Sequence, residues 1–389
     1  MYTIDHLRQT EFPHAATLTY LNHAGIAPLP QRAKRAIQAA VEALSIDPND
    51  YFGHVGLPLL MELQAGLARF VNAADPAEIA FVTSTSAALN AIAQAIPWQP
   101  GDRVLFCDVE FPSNAYPWMG LQRDGVESCI VPADNGGLTL AAVEQHADER
   151  TRVIAASAVQ FFTGHRTDLA AIGQFCRQRG ILFVVDAIQA IGHMPFDVRA
   201  MNIDVLATGG QKSLLGLPGV GFIFVRDEAA QAMRPRLIHS NATTDYLHWL
   251  AYDLTPLPGA ARFNAGTPNV AGIIGLGPSL ALLQELDVAN IDAHTTALSR
   301  YACERLSAAG LRVITPSDAL GPIVTFRSPV DAAATETIVQ RLAAERVIVV
   351  KHLDAAGAAY IRLSTHCYNV REDIDRFVEA YQRLSAASG

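Results

Sequence analysis

Between residues 79 and 225 the chain repeats one pattern. Short uninterrupted apolar runs alternate with helical stretches: IAFVT (79–83), RVLFC (103–107), VESCIV (126–131), RVIAAS (152–157), ILFVVD (181–186), DVLAT (204–208) and VGFIFV (220–225). A strand that is apolar throughout, rather than at every second position, is buried on both faces. Helices placed between such strands cover both faces of a largely parallel sheet, so the pattern predicts an α/β layer. The flanks read differently. The first 75 residues are mostly helical: QRAKRAIQAAVEAL and LLMELQAGLARFV carry apolar residues at helix spacing, as at Leu60, Leu63, Leu67, Phe70 and Val71. After residue 268, PNVAGIIGLGPSLALLQEL begins a long helical stretch. The tail then reads as LRVIT, GPIVTF, a helix over 332–344, RVIVV, YIRLS and a helix over 371–385, a small α+β unit. The expected organisation is a large α/β domain over 76–310, including the long connecting helix. Residues 1–75 (a helical arm) join 311–389 (the α+β unit) in a small domain.

Composition narrows the partners. Net charge is −9, and no basic run or stripe occurs, which argues against nucleic acid and acidic membrane surfaces. No apolar run is long enough to span a membrane, and the polar start MYTIDHLRQTEF lacks a signal-peptide core. The five cysteines are dispersed, with no Cys-x-x-Cys pair, as in reduced thiols of a cytoplasmic protein. Half the residues are hydrophobic and only 17 % are charged, a balance that anticipates surface buried against a second subunit.

Parallel sheets bind ligands at the carboxyl ends of their strands, and polar residues follow each apolar run. After IAFVT, residues Ser84, Thr85 and Ser86 crowd a helix start, suited to an N-cap or to a phosphate. Phe111 follows RVLFC in a proline-containing loop, as core or as a face for a flat ring. Gln160 follows RVIAAS, a polar residue in an apolar context that could hydrogen-bond a bound cofactor. Asp186 ends ILFVVD, where a buried carboxylate is costly unless something positive meets it; Gln189 lies three residues on. After DVLAT comes GGQK, with Gln211 and Lys212. Of 29 basic residues only three are lysine: Lys34, Lys212 and Lys351. A lysine in a glycine turn between buried strands points to chemistry a guanidinium cannot do, since an amine can lose its proton and attack. A phosphate cradle, an aromatic plate, a carboxylate and a lysine together are the set that pyridoxal 5′-phosphate needs. No P-loop, dinucleotide fingerprint, zinc-spaced pair or G-x-S-x-G competes with it.

From YLNHAGIAPLP (20–30) to YIRLSTHCYNVREDIDRFV (360–378), the chain resembles the class V aminotransferase group of pyridoxal phosphate enzymes. That group includes cysteine desulfurases, isopenicillin N epimerase-like proteins, cystine lyases and kynureninases. The most specific matches are Asp186-x-x-Gln189, GGQK at 209–212 and RFNAGTPN at 262–269. The resemblance implies fold type I, a mostly parallel sheet with helices on both faces plus a small α+β domain. It implies that Lys212 holds the cofactor as a Schiff base, Asp186 pairs with the pyridinium nitrogen and Gln189 touches the ring hydroxyl. It places Phe111 where desulfurases stack a histidine, in an FPSN run closer to kynureninases. Thr85 and Ser86 would bind the phosphate, and Gln211 stands where a histidine is usual. Thr267 resembles a residue that reaches the phosphate of a neighbouring subunit, which implies a homodimer with shared sites. Arg362 matches the arginine that clamps the substrate α-carboxylate. Asn22, His23, Tyr51 and His54 fall in segments that line the substrate side in relatives.

One departure bears on the reaction. Desulfurases of this group carry a nucleophilic cysteine on a loop before the arginine, but ERVIVVKHLDAAGAAYIR contains none, and Cys367 lies beyond Arg362 in a run read as strand-like. The expectation is therefore an aminotransferase acting on an amino acid, with a C–S or β-lyase and an epimerase as alternatives and a desulfurase disfavoured. Epimerisation requires a second acid–base group, which the motifs do not name.

Overall fold

The computed structural model describes residues 3–244, 248–264 and 266–386. A short strand β1 (Thr19–Tyr20) precedes the large sheet. That sheet holds β2 (Ile79–Val82), β3 (Arg103–Cys107), β4 (Glu127–Val131), β5 (Thr151–Ser157), β6 (Leu182–Asp186), β7 (Val205–Gly209) and β8 (Gly221–Val225), in the order β2-β8-β7-β6-β5-β3-β4. Each strand coincides with one of the seven apolar runs. The inner strands β6, β7 and β8 are buried almost throughout, whereas β4 at the edge exposes Glu127, Ser128 and Ile130. Only β8 runs against the others. Its link from β7 contains no helix, and a parallel return needs a long crossover. The chain passes from β3 outward to β4 and then back across β3 to β5, so the order reverses between β3 and β5. Such a switch leaves a crevice at the carboxyl ends.

The second sheet consists of β9 (Arg312–Val313) and β10 (Ile323–Arg327), with β12 (Val350–Leu353) and β13 (Ala359–Ser364), after a short β11 (Val347–Ile348) that pairs with β1. The run RVIVV thus divides between two sheets. The order β12-β13-β10-β9 is antiparallel throughout. One face is sealed by the helices Val288–Ala308, Ala332–Ala344 and Arg371–Ala386, around Phe326, Phe377 and Tyr381. The other face meets the loop after β5, where Thr325 and Arg362 donate to the carbonyls of Phe162 and Phe161. Among the described residues no single helix is long and apolar enough to cross a membrane. The apolar helix Val270–Leu286 packs against the helices Gln31–Ile46 and Leu57–Phe70.

Candidate active site

The carboxyl ends of β2, β3, β5, β6 and β7 lie along one edge, and side chains from each gather there. Lys212 follows β7 through the Gly209-Gly210 turn. A Cβ on Gly210 would come within 3.0 Å of the Val220 carbonyl, and one on Gly209 within 2.5 Å of Gln211 Oε1 and 3.2 Å of Ile188 Cδ1, so a side chain at either position would push its neighbours aside. The Lys212 Nζ lies 5.3 Å from the centroid of the Phe111 ring. Burial pushes its pKa down to about 8; Asp186 opposes that shift and Arg362 reinforces it.

Asp186 closes β6 at 3 % exposure. One carboxylate oxygen accepts from the Ile188 N–H at 3.0 Å, and no ion pair reaches it among the described residues. Burial raises its pKa to about 7; the Ile188 N–H opposes this, Glu110 adds to it and Lys212 opposes it. Gln189 is buried, and its Nε2 donates to the Ala24 carbonyl at 3.0 Å, which ties the 20–30 segment to the crevice. At the end of β2, Ser84 caps the helix Thr85–Ala95 by accepting from the Ala87 N–H. Thr85 Oγ1 is buried without a partner, while Ser86 is exposed, its Oγ 2.6 Å from that of Ser113.

After β5, Gln160 is fully buried. Its Nε2 donates to Glu110 at 2.7 Å, and its Oε1 has no partner. Glu110 also accepts from Ser157 and from Asn114 Nδ2, and burial raises its pKa against these hydrogen bonds. Sequence reading missed Glu110, although the rule that singled out Asp186 applies to it: an acid just beyond an apolar run.

Arg362 on β13 is 3 % exposed and has no carboxylate partner among the described residues. Its Nη1 donates to the Phe161 carbonyl at 2.7 Å and its Nη2 to Asn22 Oδ1 at 3.4 Å, while Nε is unpartnered. Burial lowers its pKa to about 10. A surface ion pair is therefore not its role in this chain.

Phe161 joins these groups. Its ring meets Phe111 edge-on at 5.0 Å and His352 edge-on at 5.8 Å. Neither Phe161 nor His352 was foreseen, because the β12–β13 pairing that turns His352 inward has no local signal.

The remaining expected residues make other contacts. Gln211 is half-buried, and its carbonyl accepts from the Ala27 N–H. His54 is exposed and bonds Asp50 one helical turn back, with Tyr51 beside it half-buried. His23 is buried near Tyr20, Tyr368 and His366. Thr267 is exposed and lines a separate hollow with Phe52, Leu57, Met61 and Thr83. Cys367 sits in the buried turn after β13, not in a strand.

The family model described as aminotransferase class-V matches residues 17–377. A probable cysteine desulfurase from Methanothermobacter thermautotrophicus is 30 % identical, over 94 % of both chains. An uncharacterized aminotransferase, YcbU, from Bacillus subtilis is 29 % identical over 95 % of both. Among solved structures, the apo cysteine desulfurase of Thermococcus onnurineus superposes with a TM-score of 0.88 at 22 % identity, covering 100 % of this chain and 99 % of that one. The cystine C–S lyase C-DES, in complex with its product cysteine persulfide, does so with a TM-score of 0.86 at 23 % identity, covering 96 % of this chain and 99 % of that one.

Proposed function

The chain belongs to the aminotransferase class-V family, and from that membership we propose a pyridoxal 5′-phosphate enzyme that transaminates an amino acid. The observation that carries this reading is one crevice holding an amine of lowered pKa over an aromatic ring, an unpaired buried carboxyl and a buried guanidinium with no acid. An unpaired buried charge costs several kcal/mol, so each calls for a ligand group of opposite sign.

The residues fit the cofactor. Thr85 Oγ1 and Gln160 Oε1 are buried and unpartnered, as groups kept for a ligand are. Asp186 would hold its ring nitrogen, Phe111 would face its ring, and Thr85 with Ser86 would hold its phosphate. Bound there, pyridoxal phosphate supplies an electron sink for bonds broken at the substrate α-carbon.

The protein's own residues do the rest. With a pKa of about 8, roughly a tenth of Lys212 is unprotonated at neutral pH, against a few parts in ten thousand for an ordinary lysine. The free amine can attach the cofactor and can take the proton from the substrate Cα. The flat guanidinium of Arg362 receives the α-carboxylate through two parallel hydrogen bonds and orients the bond to be broken. Transamination needs Lys212 as its only proton carrier.

The relatives' name, cysteine desulfurase, supports a second reading. The thiols weigh against it. Cys107, Cys129, Cys176 and Cys367 are buried, and burial raises Cys107 to about 12 and the half-buried Cys303 to about 11. A nucleophilic thiolate needs an exposed, electropositive position. A homodimer and a cytoplasmic location complete the proposal; exposed Phe52, Leu57 and Met61 beside Thr267 support the first.

The test is the visible spectrum of the purified protein beside Lys212→Ala, before and after adding amino acids and a keto acid. A band present in the wild type, absent in the variant and consumed with keto-acid formation is expected. Sulfide or alanine as product would replace transamination with sulfur chemistry, and a colourless protein after cofactor addition would remove the cofactor.

A further inference from the structure

His352 stands opposite Tyr360 in the β12–β13 pairing, and Val350 stands opposite Arg362. Side chains two apart on a strand share a face, so His352 and Arg362 are diagonal neighbours on one side of the sheet, about 7–8 Å apart or somewhat less. That side is the one turned to the crevice, because Arg362 donates from it to the Phe161 carbonyl. The imidazole is wedged perpendicular to two rings, Phe161 at 5.8 Å and Phe162 at 6.2 Å. Its Nε2 is buried and has no hydrogen-bond partner. A buried nitrogen left unpaired costs about 1–3 kcal/mol; fully buried His23 and His193 also carry such nitrogens, but in the histidine cluster with His366, whereas His352 faces the crevice beside Arg362.

The surroundings limit what that partner can be. The charged groups that face the ring are both cations, Arg362 and Lys212; together with burial, which dominates, they lower its pKa to about 4. A neutral imidazole offers one donor and one acceptor. Phe161 links the groups in one path: its carbonyl holds Arg362, and its ring touches both His352 and Phe111, over which Lys212 lies.

Resting on the amino-acid reading above, we propose that His352 is a specificity-determining residue whose free ring nitrogen hydrogen-bonds the side chain of the amino acid held by Arg362. The substrate class is then amino acids with a hydrogen-bonding group on the side chain. An apolar side chain of the same shape would leave the nitrogen unpaired.

The test titrates the visible band of the cofactor-loaded protein with shape-matched pairs: L-serine against L-alanine, L-threonine against L-valine, and L-asparagine against L-leucine. In the wild type at least one polar member should bind about tenfold tighter than its apolar match, the value of one good hydrogen bond. His352→Phe keeps a ring between Phe161 and Phe162 and should erase that gap, leaving the apolar member within about threefold. His352→Gln should restore part of it. A gap that survives in His352→Phe, or equal weakening of both members, overturns the assignment. A wild-type band that responds with no gap in any pair overturns this inference alone, whereas a protein with no band overturns the cofactor reading and this inference with it.

Discussion

Arg362 is the residue whose environment is hardest to explain without a ligand. It is buried, its fork is half used, and among the described residues its polar partners are a carbonyl and the Asn22 amide. Arg362→Lys keeps the charge but loses the planar fork. The amino-acid concentration for half-maximal response should rise about 10–100-fold, equivalent to about 1.4–3 kcal/mol, while the visible band persists. Titrating that band in both proteins checks it; equal affinities would mean that the carboxylate binds elsewhere. Gln160 shows how a neighbour fixes orientation. The Gln160 NH2 points at Glu110, and the amide oxygen is left facing away, unpaired.

At the scale of elements, three buried histidines join three segments: His23 from the 20–30 strip, His193 after β6 and His366 after β13. The His193 and His366 rings lie 4.1 Å apart, and those of His23 and His366 5.6 Å apart. His366 is committed at both nitrogens, accepting from the Cys367 N–H and bonding the Ser213 carbonyl next to Lys212. Burial lowers all three, His366 to about 4 and the others well below the ordinary value of 6.5. A lowered histidine pKa means that the unfolded chain binds more protons, so stability is lost as pH falls from about 6.5 through the folded value. Asp186 and Glu110, with raised values, act in the opposite sense. The histidine share is therefore isolated by difference: His193→Leu should narrow the stability gap between about pH 7.5 and about pH 5.5 by about 1 kcal/mol, read from urea midpoints. An unchanged gap would mean that His193 titrates alike in the folded and the unfolded chain. The same scale explains what could be read in advance. The runs ending at Thr83, Cys107, Ser157, Asp186 and Thr208 are local signals, and the polar residues just beyond them were found from those ends. The direction of β8 was not legible, because DVLAT and VGFIFV are equally apolar whichever way they run. His352 was not legible either, because its inward orientation depends on which strand β12 pairs with.

For the whole molecule, one surface is left over. Val41, Ile46, Phe52, Val55, Leu57, Leu59 and Met61 are 39–77 % exposed on one helical arm, and Leu237, Ile238, Leu250, Tyr252 and Leu254 are 52–88 % exposed on the segment before Thr267. Single apolar residues are ordinary on a surface, but Phe52, Leu57 and Met61 sit together around one hollow, and apolar residues gathered in that way mark an interface. Phe52, Leu57 and Met61 line the same hollow as Thr267, Asn241 and Asn264. A second copy seated there would cover the patch and could carry Thr267 to the neighbour's phosphate cradle at Thr85 and Ser86, the role its motif implies. Two consequences then hold together. The protein should have twice the 41.8 kDa chain mass in solution, and Leu57→Glu with Met61→Glu, which buries charge in the contact, should yield single chains. Those single chains should lose cofactor affinity by at least about tenfold, because a charge-assisted or hydroxyl contact to a phosphate is worth about 1.5–3 kcal/mol. Thr267→Ala separates the two effects: it should weaken the cofactor while leaving the dimer intact. Light scattering gives the mass and absorbance titration gives the affinity. Monomers that bind cofactor as tightly as the wild type would show that each chain completes its own site, and would remove Thr267 from it.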